Sequence, residues 1–444
     1  MAPYLHLTAG FSNPVHKTMS STSTRRSFLK KSAWLAGMPA IIPASVLGRN
    51  GNIAPSNRIV IGGIGIGPRG REVLKPFLNA ADVHFAAVAD VQLERREIVR
   101  KTVDRHYGNT DCKAYPDMNE ILQRDDIDAV LIATGDRWHT PASIRAARAG
   151  KDIYCEKPCS MSIVESRELD EAILKHERIY QAGTQRRNVD NFRFAVELAR
   201  GGKLGKLQTV HAGIIPPAEY LPNLPGEPEP DPAEINWDVW LGQAAARPYN
   251  KKYVQGRWRG HEGMVASFSV LEWGSHTVDI CQWAAQADGT TPVEFEAEGT
   301  TLHGRYANGV KLKMRVAGFN NEGDWLGLGT CPVRLEGDEG WVEVGDHGKI
   351  MVSNEAFLAG GKPAEMSGTD PSKHVREFID CVKSRTKPAG HSTVARYGHV
   401  ACHAAAISWR LGRKLRFDPA TESFPDDAEA NKMRNHARRA GFQV

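Results

Sequence analysis

The segment that most constrains this chain lies between residues 58 and 90. Arg58-Ile59-Val60-Ile61 is a β-branched run that reads as a buried strand. It leads into Gly63-Ile64-Gly65-Ile66-Gly67-Pro68-Arg69-Gly70, in which Gly65, Gly67 and Gly70 satisfy GxGxxG. Arg71 to Leu78 then has helical spacing, with Val73, Leu74, Phe77 and Leu78 on one face. The first glycine suits a tight turn, the second a close backbone approach to a pyrophosphate, and the third close helix–strand packing. The helix N-terminus would offer N–H groups and a positive dipole end to phosphates, with Pro68 and Arg69 lining the same turn. A second strand, Val83 to Ala89, ends at Asp90, 20 residues past Gly70. A carboxylate there can accept from the ribose hydroxyls of a dinucleotide. No Arg adjoins Asp90 to welcome a 2′-phosphate, which favours NAD over NADP; Arg95 and Arg96, about a turn away, keep NADP possible.

The alternation continues. Ile127 to Thr134 reads as a strand, Thr140 to Ala149 as a helix stopping at Gly150, and Asp152 to Glu156 as a strand. Ser162 to His176 follows as a helix and Ile179 to Gly183 as a strand. Repeated βα units imply a doubly wound parallel sheet, an α/β Rossmann domain over residues 57–182. A chain of 444 residues is long for one core, so a second domain over 183–444 is expected.

Residues 1–48 hold five Lys or Arg and no acid; 57 basic residues less these five leave 52, against 52 acidic residues. The net charge of +5 therefore gives no warrant for nucleic-acid binding. Thr24-Arg25-Arg26-Ser27-Phe28-Leu29-Lys30-Lys31 and the apolar stretch to Leu47 have the order of a signal peptide. That stretch is too short to span a bilayer, so no stable membrane span is expected. The Arg25-Arg26 pair with Phe28-Leu29 is similar to a twin-arginine signal. It implies the twin-arginine export machinery as a partner and a periplasmic or secreted location. Met19 is an alternative start to Met1. Seven scattered cysteines without a CxxC pair read as buried thiols, with neither a disulfide framework nor a metal site expected.

Glu156-Lys157-Pro158, directly after a strand, resembles the EKP motif of the Gfo/Idh/MocA oxidoreductases, the glucose–fructose oxidoreductase and inositol dehydrogenase type. Three more segments are similar to that family. Ala133 to Pro141 (ATGDRWHTP) resembles a cofactor-side loop of the ATPDHWH kind, with Gly135 and Arg137 in place of the commoner Pro and His. Ala182-Gly183-Thr184-Gln185-Arg186-Arg187 resembles the segment entering the substrate site. Glu272-Trp273-Gly274-Ser275-His276-Thr277-Val278-Asp279 resembles the (D)xGxHxxD signature. The resemblance covers roughly residues 57–415. It implies an α+β second domain with an open, mainly antiparallel sheet and a homo-oligomer, dimer or tetramer. It also implies cofactor contacts from Thr134, Trp138, His139, Glu156 and Lys157, and substrate contacts from Gln185 and Arg186.

Oxidising a secondary alcohol requires removal of its O–H proton as hydride leaves the carbon. A histidine suits that base role, and a fixed, partly desolvated lysine can share in proton transfer. If residues 272–285 are helical, Glu272 and His276 stand i, i+4 on one face, with Asp279 as a structural neighbour. Lys157, His276 and Glu272 are thus the expected catalytic set: Lys157 polarising the oxygen, His276 moving the proton, Glu272 orienting both.

In the second half, β-branched strands are expected at 208–215, 293–299, 309–316, 332–335 and 340–344. The Pro- and acid-rich residues 219–233 read as a surface arm. Trp237, Trp240, Trp258 and Trp273 suit either sugar platforms or a core, and Arg257 and His261 are candidate substrate contacts. The expected activity is NAD(P)-dependent hydride transfer at a secondary alcohol of a sugar, polyol or glycoside, with a tightly held cofactor. A redox-neutral glycosidase acting through transient C3 oxidation is the alternative, and a non-catalytic sugar-binding protein a lesser one.

Overall fold

Short apolar strands build the first sheet: β1 (Ile59–Ile64), β2 (Val83–Ala89), β3 (Lys113–Tyr115), β4 (Ala129–Ile132), β5 (Asp152–Cys155) and β6 (Tyr180–Ala182). They come from a computed structural model that describes residues 53–317 and 325–442. The export signal expected in residues 1–48 lies outside the described residues. The strands pair in parallel in the order β3-β2-β1-β4-β5-β6. β4, β5 and β6 are buried along their whole length, as strands covered on both faces must be. Helices α1 (Pro68–Asn79), α2 (Leu93–Tyr107), α3 (Asp136–Arg148) and α4 (Ile163–Lys175) supply the cover. α1 starts three residues before its apolar pattern, because a proline is well placed in a helix's first turn. Strand order reverses between β1 and β4, and a ligand crevice is expected outside the carboxyl ends at that point.

The second sheet contains β7 (Leu207–Ile214), β8 (Glu294–Glu298), β9 (Thr301–Arg305), β10 (Lys311–Val316), β11 (Val333–Gly337), β12 (Trp341–Val344), β13 (Ile350–Val352) and β14 (Leu415–Arg416). Its order is β13-β12-β11-β7-β10-β9-β8-β14; β7 and β10 are parallel and the other pairs antiparallel. Helices α5 (Asp190–Arg200), α6 (Leu271–Ala284), α7 (Ser372–Ser384) and α8 (Ser392–Leu411) complete the frame. α6 and α8 share a core with Val210, Ile214, Leu312 and Leu335 of this sheet. The fold is therefore a Rossmann parallel sheet joined to a mainly antiparallel α+β part, and both sheets lie in one compact unit from Ser56 onward.

α7 departs from the linear division at residue 183. It packs on the first sheet's core, where Phe378 stands edge-on to Phe77 (6.0 Å) and Tyr154 (5.9 Å). Arg376 pairs with Asp82 at 2.8 Å, and Lys383 joins the same carboxylate. All seven cysteines are free and buried. Among the described residues no helix is long and apolar enough to cross a membrane.

Candidate active site

A cavity of about 630 Å³ opens at the carboxyl ends of β1, β2 and β4. Gly65, Gly67, Pro68, Arg69, Asp90, Thr134 and Trp138 line it. Gly65 has φ +66°, and a Cβ there would collide with Thr134. A Cβ on Gly70 would stand 2.8 Å from that of Ala133, so this glycine lets α1 close onto the strand end behind the cavity. Asp90 is buried, accepts from Gln92 N (2.9 Å), and is pushed up to about 6 by desolvation. These features, with the helix N-terminus beginning at Pro68, fit a dinucleotide: a cradle only glycine can leave open, a dipole end for phosphate and an acid for ribose.

The lysine of the EKP segment is held by the helix that carries Glu272. The Lys157–Pro158 peptide is cis. Lys157 Nζ donates to the Glu272 carbonyl at 2.7 Å and lies 4.0 Å from Glu272 Oε2. Arg259 Nε reaches Glu272 Oε1 at 3.2 Å and also lines the cavity. Arg259 thus joins the cavity to the Lys157–Glu272 cluster; Lys157 itself does not line it. Asp136, at the start of α3, belongs to this cluster. It is buried, and desolvation, then the Glu272 carboxylate, raise its carboxyl far above the usual range.

His276 sits one layer deeper and is engaged. Its Nε2 lies 2.9 Å from Arg186 Nη1. A guanidinium only donates, so Nε2 accepts and the imidazole proton sits on Nδ1, which has no partner among the described residues. Burial, then Arg186 and Lys157, hold His276 well below its ordinary value. In this arrangement Nε2 cannot also take an alcohol proton; the expected base role requires the Arg186 contact to open. Arg186 is itself fixed by Asp346, Nε–Oδ1 3.0 Å and Nη2–Oδ2 2.6 Å. Gln185, with its amide turned to satisfy both ends, accepts from Arg186 Nη1 (3.1 Å) and Arg69 Nη2 (2.6 Å). Asp279 is structural, paired with buried Arg187 at 2.7 and 2.9 Å.

Other expected contacts take supporting places. Glu156 is buried and held by Arg69 Nε at 3.3 Å. His139 Nδ1 lies 2.6 Å from the Pro158 carbonyl, bracing the lysine turn rather than lining the cavity. Arg257 is exposed, and His261 is buried edge-on to Tyr253 at 5.0 Å; neither lines the cavity. The helical turn at Tyr253–Arg257 instead presents Trp258 and Arg259 to it. Trp237 and Trp240 stack at 4.9 Å; Trp240 also forms a cavity wall, whereas Trp273 packs near Trp325.

Contributors that were not given a role from sequence fall in three places. Asp136 and Arg137 sit inside the loop motif, which is the signal that could have found them. Arg259 stands beside the two residues that were named. The third is the chain end, where Gly441 and Phe442 close one cavity wall and Phe442 meets Trp138 edge-on at 5.8 Å. Arg137 is buried, donates to the Trp240 and Leu241 carbonyls, and is drawn down by desolvation to about 9, so it remains charged at neutral pH.

Comparison with known proteins agrees with this geometry. Residues 58–184 match the oxidoreductase family's NAD-binding Rossmann fold, and residues 222–444 its C-terminal alpha/beta domain. A myo-inositol 2-dehydrogenase of Thermotoga maritima is 28% identical over 165 residues, 36% of this chain and 48% of that protein. A glycosyl hydrolase family 109 protein of Saccharopolyspora erythraea is 34% identical over 114 residues, 24% of each chain. The chain thus spans about half or less of these curated relatives' length. The structure of scyllo-inositol dehydrogenase from Lactobacillus casei with bound NAD(H) and scyllo-inositol shares the fold, with a TM-score of 0.55 and 16% identity. That likeness covers 81% of this chain and 99% of that one. With both domains matched in sequence and the strand–glycine–helix unit in place, the chain belongs to the Gfo/Idh/MocA family of oxidoreductases.

Proposed function

We propose that this protein transfers hydride at a secondary alcohol of a sugar, polyol or glycoside, using NAD held in the cavity at the glycine turn. The observation that carries the reading is the meeting of that cavity, through Arg259, with Lys157 fixed against Glu272. Bound there, a nicotinamide supplies the hydride acceptor or donor. Gly65, Gly67 and the start of α1 would hold its pyrophosphate, and Asp90 its adenosine ribose. The Lys157 ammonium donates to the reacting oxygen and polarises it, while Glu272 keeps that ammonium in place. Asp136, whose carboxyl holds its proton more tightly than an ordinary aspartate, is positioned to take part in proton movement beside them. His276, capped by Arg186, acts as a base only once substrate displaces that contact.

The same reading includes folded export by the twin-arginine route, supported by Arg25-Arg26 and the apolar stretch after it. An exported enzyme meets little free NAD, so the cofactor would be retained and reset by a second substrate. A dimer or tetramer belongs to this reading through the family resemblance. A redox-neutral glycosidase is the second reading, favoured by the similarity to family 109 glycosyl hydrolases.

The experiment begins with protein purified without added cofactor, denatured, and its supernatant assayed for nicotinamide dinucleotide. Native protein is then mixed with free sugars, inositols and p-nitrophenyl glycosides, following 340 nm absorbance and p-nitrophenol release together. Reduction by a free sugar or inositol without glycoside cleavage supports the oxidoreductase. Cleavage without net reduction moves the assignment to the glycosidase. Failure to contain or bind NAD or NADP would overturn both.

A further inference from the structure

Arg137 is a buried cation, 2% exposed, with no carboxylate at ion-pair distance among the described residues. Its guanidinium is nevertheless tightly placed. Nε donates to Trp240 O (3.0 Å) and Leu241 O (3.1 Å), and Nη2 to Trp240 O (2.6 Å). Cζ stands 3.9 Å from the Trp240 ring centroid and 5.9 Å from that of Trp258. The third nitrogen, Nη1, is buried and has no partner among the described residues. It lies 2.6 Å from where a Cβ on residue 135 would stand, so Gly135 leaves the space that Nη1 occupies. Gly135 and Arg137 are also the two positions at which this loop departs from the commoner Pro and His, and in the structure they touch. Both line the cavity, as does Arg259, whose Cζ lies 4.4 Å from the Trp258 ring centroid.

A buried, unpaired guanidinium is costly to keep, and carbonyls fix its direction without cancelling its charge. A ligand oxyanion would do both. The cavity's ionisable wall is biased the same way, five arginines against Asp90 and Asp117.

We propose that Arg137, given room by Gly135 and flanked across Trp258 by Arg259, is an oxyanion subsite of the cavity, receiving a phosphate or carboxylate of the bound ligand. The oxyanion has two sources: the pyrophosphate of the dinucleotide, an arm that rests on the proposed function, or an acid group on the sugar, an arm that does not require a dinucleotide.

Calorimetric titration of the full chain, freed of retained nucleotide, separates these sources. The probes are NAD+, ADP-ribose, inorganic pyrophosphate, glucuronate and glucose, against wild type, Arg137→Met and Gly135→Ala. Charge-assisted hydrogen bonds of this kind predict a loss of about 10- to 100-fold. A loss confined to NAD+, ADP-ribose and pyrophosphate assigns the subsite to the dinucleotide; a loss confined to glucuronate, with glucose unchanged, assigns it to a sugar acid. Gly135→Ala, which keeps the charge but displaces Nη1, gives the same pattern and carries the test if Arg137→Met fails to fold. Equal losses for glucose and the anions, changes under twofold throughout, or wild type that binds none of the anionic probes would each overturn the subsite. Wild type that binds pyrophosphate or glucuronate but neither NAD+ nor ADP-ribose overturns the proposed function and leaves the subsite standing.

Discussion

Asp90 shows how one residue ties the cavity to solution conditions. Burial raises its carboxyl to about 6, whereas the unfolded chain ionises near 3.8. Between those values the folded state holds the extra proton, so apo-protein stability falls as pH rises from about 4 to about 6 and is level beyond. Dinucleotide binding has the opposite slope, because only the ionised carboxylate accepts from both ribose hydroxyls. NAD affinity is therefore expected to rise up to about tenfold per pH unit below 6 and to flatten above it. Quenching of the cavity tryptophans Trp138, Trp240 and Trp258, titrated from pH 5 to 8, measures this; a flat profile in wild type would contradict it, and Asp90→Asn should give one. Lys157→Met is the complementary test of chemistry. Proton-transfer groups contribute about 10²–10⁴-fold, so kcat should fall by that range while NAD binding stays within about twofold. A parallel loss of NAD binding would make the lysine a cofactor anchor instead. Lys157, Glu272 and Asp90 were legible because each sits at a fixed step from a strand end or motif. The Arg186–His276 and Lys157–Glu272 contacts were not, since they join segments 90 and 115 residues apart through a fold that no local pattern encodes.

At the scale of elements, hydrophobic period and glycine punctuation placed β1, β2, β4 to β6 and the five β-branched strands of the second sheet within a few residues. Helices start ahead of the apolar pattern, directly after a glycine: α1 begins at Pro68 after Gly67, and α3 at Asp136 after Gly135. α7 follows the second sheet's strands in the chain, yet its apolar face packs on the first sheet's core. Val375, Phe378, Ile379 and Val382 enter the core that holds Phe77 and Tyr154. That packing carries a stability prediction. Phe378→Ala removes a fully buried ring wedged between two aromatics and should destabilise the protein by about 3–5 kcal/mol. Chemical denaturation followed by far-UV circular dichroism reads this. A change below about 1 kcal/mol would mean that α7 docks too loosely to brace α1, whose N-terminus faces the cavity.

Across the whole molecule, one cavity is walled by parts of the chain that are remote in sequence: the Rossmann loops, the segment from Pro232 to Arg259, and the chain end at Gly441 and Phe442. The last of these is held by several independent contacts. Arg439 pairs with Asp238 and donates to the Gly242 carbonyl, Arg438 pairs with Glu168, and the Arg439 Cζ stands 4.4 Å from the Phe442 ring centroid. Phe442 in turn leans on Trp138, a cavity wall. If NAD is retained as proposed, its release must be slow, and this wall lies outside the glycine turn. Phe442→Ala is therefore expected to speed release of bound dinucleotide several-fold, with little change in its association rate, because most mutational effects on affinity fall on dissociation. Phe442 is only partly buried, so the melting temperature of the nucleotide-free protein should move by no more than a few degrees. Chasing labelled NAD from wild type and variant with excess unlabelled NAD measures the rate directly. An unchanged rate would place retention in the Rossmann loops alone; a faster rate with unchanged apo stability would make the wall at Gly441 and Phe442 a closure that slows cofactor release.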